Sequence, residues 1–319
     1  MDPTAWPPRV TLREVGLRDG LQAIARTLPT EQKKEWIREA WEAGVREIEV
    51  GSFVPARLLP QLADTADLVS HARTLPGLSV SVLVPNLKGA EAAMASGAHW
   101  MLLPLSASHA HSLANLRRTP DEVVASVAEM VRARNERGSD IRIEVGISTA
   151  LGCTLQGEVP VAEVLRLLEA VLALGVDRVS IADTVGYADP RQVADLFRQA
   201  RAVCGDKLDA AHFHDTRGLG IANVMAALHE GQTRFDACLA GLGGCPHAPG
   251  ASGNVATEDL AYLFASMGIA TGIDLPRLLA LRAKVAGWLA GECLSGSIAR
   301  AGLPKTLAPR EPLESPSHA

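Results

Sequence analysis

The chain has 319 residues, and its 31 basic against 36 acidic side chains leave a net charge of −5, a balance that excludes an electrostatic nucleic-acid binder and a polybasic membrane-surface protein. With 47% hydrophobic but only 4% aromatic residues, the core must rest on Ala, Val, Leu and Ile, the usual make-up of α/β proteins. Five cysteines, at 153, 204, 238, 245 and 293 with no Cys-x-x-Cys, argue against a disulfide framework and for a reduced, cytoplasmic protein.

The opening Met1-Asp2-Pro3 carries no apolar h-region, and no uncharged apolar run reaches the ~18 residues of a membrane span. No secretion signal, transit peptide or transmembrane helix is therefore expected. Beyond it, β-branched runs alternate with helical patterns. Strands are expected at residues 10–15, 47–50, 78–84, 100–105, 141–147, 178–182, 208–214 and 235–239, and helices at 30–43, 57–73, 87–95, 120–137, 160–174, 190–204 and 219–230. Thr30 and Thr119 suit N-caps, and Pro120, Pro160 and Pro190 suit first helical turns. Gly44, Gly97 and Gly175 each follow a helix and precede a strand, as joints on the bottom face of a barrel do. Eight strands with intervening helices predict an α/β fold, a TIM (β/α)₈ barrel, with a doubly wound open sheet as the alternative. Two further helices, over 257–266 and 275–290, extend the same single catalytic domain to residue 303. The Pro- and Ser-rich segment 304–319 reads as a flexible tail.

In a barrel the reacting groups belong at the C-terminal ends of strands, and four such ends carry polar clusters. The first is Glu14-Val15-Gly16-Leu17-Arg18-Asp19-Gly20-Leu21-Gln22; taken alone, its Arg-Asp pair reads equally well as a surface ion pair. The second is His212-Phe213-His214-Asp215-Thr216. Side chains alternate along a strand, so His212 and His214 share a face at a metal-ligand spacing, although a lone His-x-His is more often structural. The third is Gly241-Leu242-Gly243-Gly244-Cys245-Pro246, a glycine-rich loop and a poor place to bury a structural thiol. The fourth, Gly250-Ala251-Ser252-Gly253-Asn254, ends on an amide that is a hard ligand or a turn residue. One carboxylate, two imidazoles and one amide oxygen form a mixed N/O set. That set favours octahedral Mg²⁺ or Mn²⁺ over structural zinc and leaves two positions for a chelating substrate.

These segments, with Pro85-Asn86-Leu87-Lys88-Gly89, are where the chain resembles the hydroxymethylglutaryl-CoA lyases, members of the TIM-barrel metallolyases that carry an Asp-Arg-Glu motif. The resemblance runs from about residue 10 to 272. It implies metal ligation by Asp19, His212, His214 and Asn254, enolate stabilisation by Arg18, and catalytic roles for Glu49, Cys245 and either Asp19 or His212 as base. Gln22, Ser52, Asn86, Lys88, Ser180 and Asp183 are the implied substrate-binding residues. The implied reaction is cleavage of hydroxymethylglutaryl-CoA to acetyl-CoA and acetoacetate with Mg²⁺ or Mn²⁺. The expected partners are an acyl-CoA and a second copy in a homodimer, with no nucleic acid and no membrane.

The chain departs from the family pattern where the pocket is lined. Leu17 replaces Pro, Ala23-Ile24 replaces Asn-Glu, Gly146 and His247 each replace Tyr, and Ser108-His109-Ala110-His111-Ser112 stands where lysines are usual. Alternatives that keep the reaction type are a lyase for (R)-citramalyl-CoA or for a longer 3-hydroxy-3-alkylglutaryl-CoA. An acyl-CoA condensing synthase is the alternative of a different class.

Overall fold

The computed structural model describes residues 6–243 and 253–307. Eight strands, β1 (Thr11–Glu14), β2 (Glu47–Ser52), β3 (Ser79–Leu83), β4 (Trp100–Ser106), β5 (Arg142–Ser148), β6 (Arg178–Asp183), β7 (Leu208–Phe213) and β8 (Arg234–Ala237), run parallel in sequence order. Pairing of β8 with β1, Thr11 opposite Arg234 and Glu14 opposite Ala237, closes them into a barrel. The expected (β/α)₈ barrel is therefore the observed fold, and the open sheet is not.

The strand sequences explain the layering. Outward residues such as Val145, Ile147, Val179 and Ile181 are fully buried, because the helices cover that face. The helices are α1 (Thr30–Glu42), α2 (Thr65–Ala72), α3 (Leu87–Ser96), α4 (His109–Leu116), α5 (Pro120–Glu136), α6 (Val161–Ala173), α7 (Pro190–Cys204) and α8 (Gly220–His229). The alternate residues point into the lumen, where the usual fill of branched apolar side chains is largely replaced by charge: Arg13, Glu144, Arg178 and Asp236 are all buried there. Trp100 closes the same level, with the guanidinium carbons of Arg178 and Arg142 at 3.5 and 4.0 Å from its ring centroid.

Past the barrel, α9 (Thr257–Ser266), α10 (Leu275–Trp288) and the short α11 (Ile298–Ala301) follow. Val10 N donates to Ala270 O at 3.0 Å and Asp274 N to Ala43 O at 2.8 Å, tying the chain between these helices to the barrel. Most of the expected tail, residues 308–319, lies outside the described residues.

Local chemistry decides where the elements depart from expectation. The expected helix over 57–73 is only α2; before it stand turns and a single 3₁₀ turn at Pro60–Leu62. Leu59, ahead of Pro60, is held at φ −133°, since a residue before proline is pushed out of the helical region. Thr30 is not an N-cap: α1 starts on it, and Pro29 occupies the cap without a side-chain bond. Thr119 does cap α5, in a reciprocal capping box with Glu122. Pro120 and Pro190 open their helices, whereas Pro160 sits one residue earlier, at the cap of α6. The short α4 was not expected; Ser108 caps it by accepting from His111 N at 3.2 Å.

Candidate active site at the barrel mouth

After β1 the chain makes one wide helical turn, Gly16–Gly20, in which Asp19 N and Gly20 N both bond to Val15 O at 2.8 and 3.4 Å. Such π turns are rare and recur at functional sites. This one turns Arg18 and Asp19 toward the lumen together. Arg18 Nη1 lies 2.5 Å from Asp19 Oδ1, and Arg18 Nε lies 2.8 Å from Glu49 Oε2 on β2. Gln22 Nε2 donates to Asp19 Oδ1 at 3.2 Å.

Across the mouth, His212 and His214 share one face of the end of β7, their ring centroids 5.1 Å apart. His214 Nε2 is 3.6 Å and His212 Nε2 4.0 Å from Asp19 Oδ2. One ligand atom from each of Asp19, His212 and His214 falls within 4.8 Å of the others, and all three residues are buried. Asn254 completes the group. Its backbone pairs with His214 in an isolated bridge, and its Nδ2 donates to Asp19 Oδ2 at 2.7 Å and Leu242 O at 3.1 Å. The approach is close enough to demand glycine. A Cβ on Gly243, at φ 128°, would stand 2.5 Å from Asn254 Nδ2 and 3.4 Å from Asp19 Oδ2.

The electrostatics suit a cation. Burial alone would raise the Asp19 carboxyl, but Arg18, with His214 and His212, holds it well below the usual carboxylate range. Burial acts to lower His212, yet its hydrogen bond to Asp236 and the nearby Asp19 raise it above the ordinary imidazole value. Glu49 is raised by burial against the pull of Arg18. Asn254 Oδ1 and His214 Nδ1 are buried without a hydrogen-bond partner. An anionic carboxylate, two imidazole edges and an orphaned amide oxygen are the donor set a divalent cation takes.

The sequence-predicted residues divide into groups. Arg18, Asp19, Gln22, Glu49, His212, His214 and Asn254 come together at the mouth. Ser180 lies deeper in the lumen, donating to Glu144 Oε1 at 2.7 Å. Both oxygens of Asp183 are engaged by backbone N–H groups, Tyr187 at 2.9 Å and Ala188 at 3.0 Å, so it shapes the loop after β6. Ser52 Oγ accepts from Val54 N at 3.1 Å. Asn86 caps α3 by accepting from Gly89 N at 3.0 Å. Asn86 and Lys88 line a groove of about 550 Å³ with Phe53, Pro55 and Arg118. Cys245 and His247 lie outside the described residues.

Sequence reasoning missed the residues beneath the site. Arg13 donates Nη1 and Nη2 to Glu144 at 2.7 and 3.0 Å, and Nε and Nη2 to Asp236 at 2.7 and 3.0 Å. Asp236 Oδ2 is 3.1 Å from His212 Nδ1. The available signal was one charged residue at a lumen-facing position on each of β1, β5, β6 and β8: Arg13, Glu144, Arg178 and Asp236.

The HMGL-like family pattern matches residues 9–285. The hydroxymethylglutaryl-CoA lyase of Bacillus subtilis is 38% identical over 275 residues, covering 86% of this chain and 91% of that protein. The hydroxymethylglutaryl-CoA lyase of Pseudomonas mevalonii is 38% identical over 298 residues, covering 92% and 96%. Among solved structures, an HMG-CoA lyase from Acinetobacter baumannii in complex with coenzyme A and 3-methylmalate superposes with a TM-score of 0.89 at 38% identity, covering 97% of this chain and all of that one.

Proposed function

The chain belongs to the HMGL-like family, and on that premise we propose that it is a carbon–carbon lyase that cleaves hydroxymethylglutaryl-CoA to acetyl-CoA and acetoacetate. The observation that carries the reading is the buried cluster of Asp19, His212 and His214, with the orphaned Asn254 Oδ1 beside it. These four residues would hold Mg²⁺ or Mn²⁺. When bound, the cation supplies Lewis acidity that eases deprotonation of the substrate's tertiary hydroxyl.

The protein's own groups do the rest. The acceptor of the hydroxyl proton is Asp19, or His212 where its Nε2 does not ligate. As the C–C bond breaks, its electron pair passes into a thioester enolate, and the permanently cationic Arg18, fixed by Glu49, faces that charge. A preorganised donor of this kind is worth about 3 kcal/mol. Cys245 is assigned the protonation of the enolate carbon that releases acetyl-CoA. The groove beside Asn86 and Lys88, with Arg118 as a second cation, would take the coenzyme A portion, in line with the coenzyme A in the Acinetobacter complex. A homodimer in the cytoplasm belongs to the same proposal; no helix among the described residues is long and apolar enough to cross a membrane.

The test is turnover. Purified protein with Mg²⁺ or Mn²⁺ should release acetyl-CoA and acetoacetate from hydroxymethylglutaryl-CoA, chelation should abolish this, and either ion should restore it. Full activity in metal-free protein, or no cleavage with either ion, sinks the reading.

One observation favours a wider substrate range. Gly146 faces the lumen between Glu144 and Ser148, and a Cβ there would meet only Ser180 Oγ, at 3.3 Å. With no side chain at this inward position, we assign the room beside Ser180 to a larger 3-alkyl group. Gly146→Tyr should suppress longer 3-hydroxy-3-alkylglutaryl-CoA substrates selectively, by about 1–3 kcal/mol per methylene. Unchanged kcat/KM ratios across the panel would remove position 146 from specificity.

A further inference from the structure

We propose that Asp236, gripped by Arg13, is the positioning residue that fixes the His212 ring with Nδ1 protonated and Nε2 free to ligate, and so sets the affinity of the metal site. The proposal rests on the metal-site reading above. Asp236 is the register partner of Arg13 across β8–β1 and of His212 across β7–β8. The sheet itself therefore lays Arg13, Asp236 and His212 side by side on three adjacent strands. Arg13 grips both Asp236 oxygens, with Nε at 2.7 Å and Nη2 at 3.0 Å. It cannot swing away, because Glu144 holds its other edge at 2.7 and 3.0 Å.

An ionised carboxylate only accepts hydrogen bonds. Asp236 Oδ2, 3.1 Å from His212 Nδ1, therefore requires the proton on Nδ1. That places the lone pair on Nε2, the atom that faces Asp19 Oδ2 at 4.0 Å. His214 has no such partner: its Nδ1 is buried without a hydrogen bond. The two imidazoles are thus unequal: His212 is clamped at Nδ1 by a carboxylate, and His214 has no hydrogen-bond partner at Nδ1. A carboxylate behind a ligating histidine fixes its tautomer and raises its basicity, and losing it costs about 10- to 100-fold in metal affinity.

The experiment is Mn²⁺ titration, read as free Mn²⁺ by paramagnetic resonance, on wild type, Asp236→Asn, Glu144→Gln and His214→Ala, with ring ¹⁵N shifts of the metal-free proteins recorded in parallel. In Asp236→Asn the amide oxygen is drawn to Arg13, which turns the amide N–H toward His212 Nδ1 and moves the ring proton to Nε2. Mn²⁺ affinity should fall about 10- to 100-fold with the tautomer change. Glu144→Gln perturbs the same network without touching His212, so it should keep the Nδ1–H tautomer and bind Mn²⁺ within about threefold of wild type. Wild-type affinity and tautomer in Asp236→Asn overturn the proposal, as does an equal loss in Glu144→Gln. If Asp236→Asn does not fold, Arg13→Lys, which keeps the charge and loses the fork, should show the same direction at smaller size; wild-type behaviour there overturns it too. If wild type binds no Mn²⁺, the metal reading fails, and the tautomer shift alone decides whether Asp236 positions His212.

Discussion

On the floor of the lumen, every carboxylate oxygen of Glu144 and Asp236 accepts from Arg13, Arg178, Ser180 or His212; at the mouth, Asn254 Oδ1, His214 Nδ1 and Glu49 Oε1 are equally buried and accept from nothing among the described residues. A buried polar atom without a partner costs about 1–3 kcal/mol. The fold meets that demand at all four oxygens of Glu144 and Asp236 and leaves it open at the mouth. The floor charges that the protein satisfies by itself hold the barrel together; the unpartnered atoms that gather around Asp19 and His212 are the ones left for a ligand. Charge and burial alone do not separate the two layers, and the hydrogen-bond count does.

The contrast predicts separable phenotypes. The largest effect belongs to the mouth: Arg18→Lys should lower kcat by roughly 10²-fold or more while retaining Mn²⁺ binding, because an ammonium cannot reproduce the guanidinium fork. A variant within about threefold of wild type would mean that Arg18 does not face the developing charge. On the floor the loss should be in stability. Glu144→Gln leaves Arg13 and Arg178 without their shared carboxylate, and breaking a buried ionic network from one side costs about 3–5 kcal/mol. A urea midpoint equal to wild type would erase the distinction between the layers.

A smaller effect comes from the collar that joins them. Glu14 accepts from Gly16 N, Leu239 N and Thr257 Oγ1 at 2.6 to 3.1 Å, and Glu258 accepts from Ala240 N at 3.0 Å. Burial still pushes both carboxyls up to about 7. In the unfolded chain they titrate near 4.5, so between these values the folded state binds more protons. The stability they contribute is fully present below about pH 4.5 and is lost as pH rises through 7. The urea midpoint should fall from pH 5 to 8, and Glu258→Gln should shrink that fall. A midpoint that rises over this range would show that both groups are ionised throughout.

The mouth was more legible in the sequence than the floor, for a physical reason. Arg18-Asp19, His212-x-His214 and Asn254 are local patterns at strand ends, and local patterns survive in a linear reading. Arg13 and Glu144 stand 131 residues apart, and only barrel closure makes them neighbours. Each on its own strand reads as an unexplained charge. Element order survived for the same reason, through alternation and the helix–glycine joints. Residues 57–64 did not, because the helical composition there was overridden by the backbone restriction at Leu59-Pro60 and by Thr65, whose hydroxyl bonds both Ser52 N and Ser52 O. Asp183 shows the reverse limit. Its place in a family-like strand suggested contact with substrate, and the structure adds a second role that the sequence did not show, its two oxygens accepting from the Tyr187 and Ala188 amides.

The wide turn at Gly16–Gly20 also bears on how the site tolerates length change. In an ordinary α-helical turn consecutive side chains diverge by about 100°; the wider turn narrows that angle and lengthens the hydrogen-bonded loop by one residue. With Asp19 N and Gly20 N both returning to Val15 O, Arg18 reaches Glu49 and Asp19 reaches the histidines from adjacent positions of the turn. Deleting Leu17 would shift that register, moving Arg18 away from Glu49 and Asp19 away from the histidines, and would also empty the place that the fully buried Leu17 fills in the core. A single-codon deletion at this point would cost the site its geometry and the barrel part of its packing together.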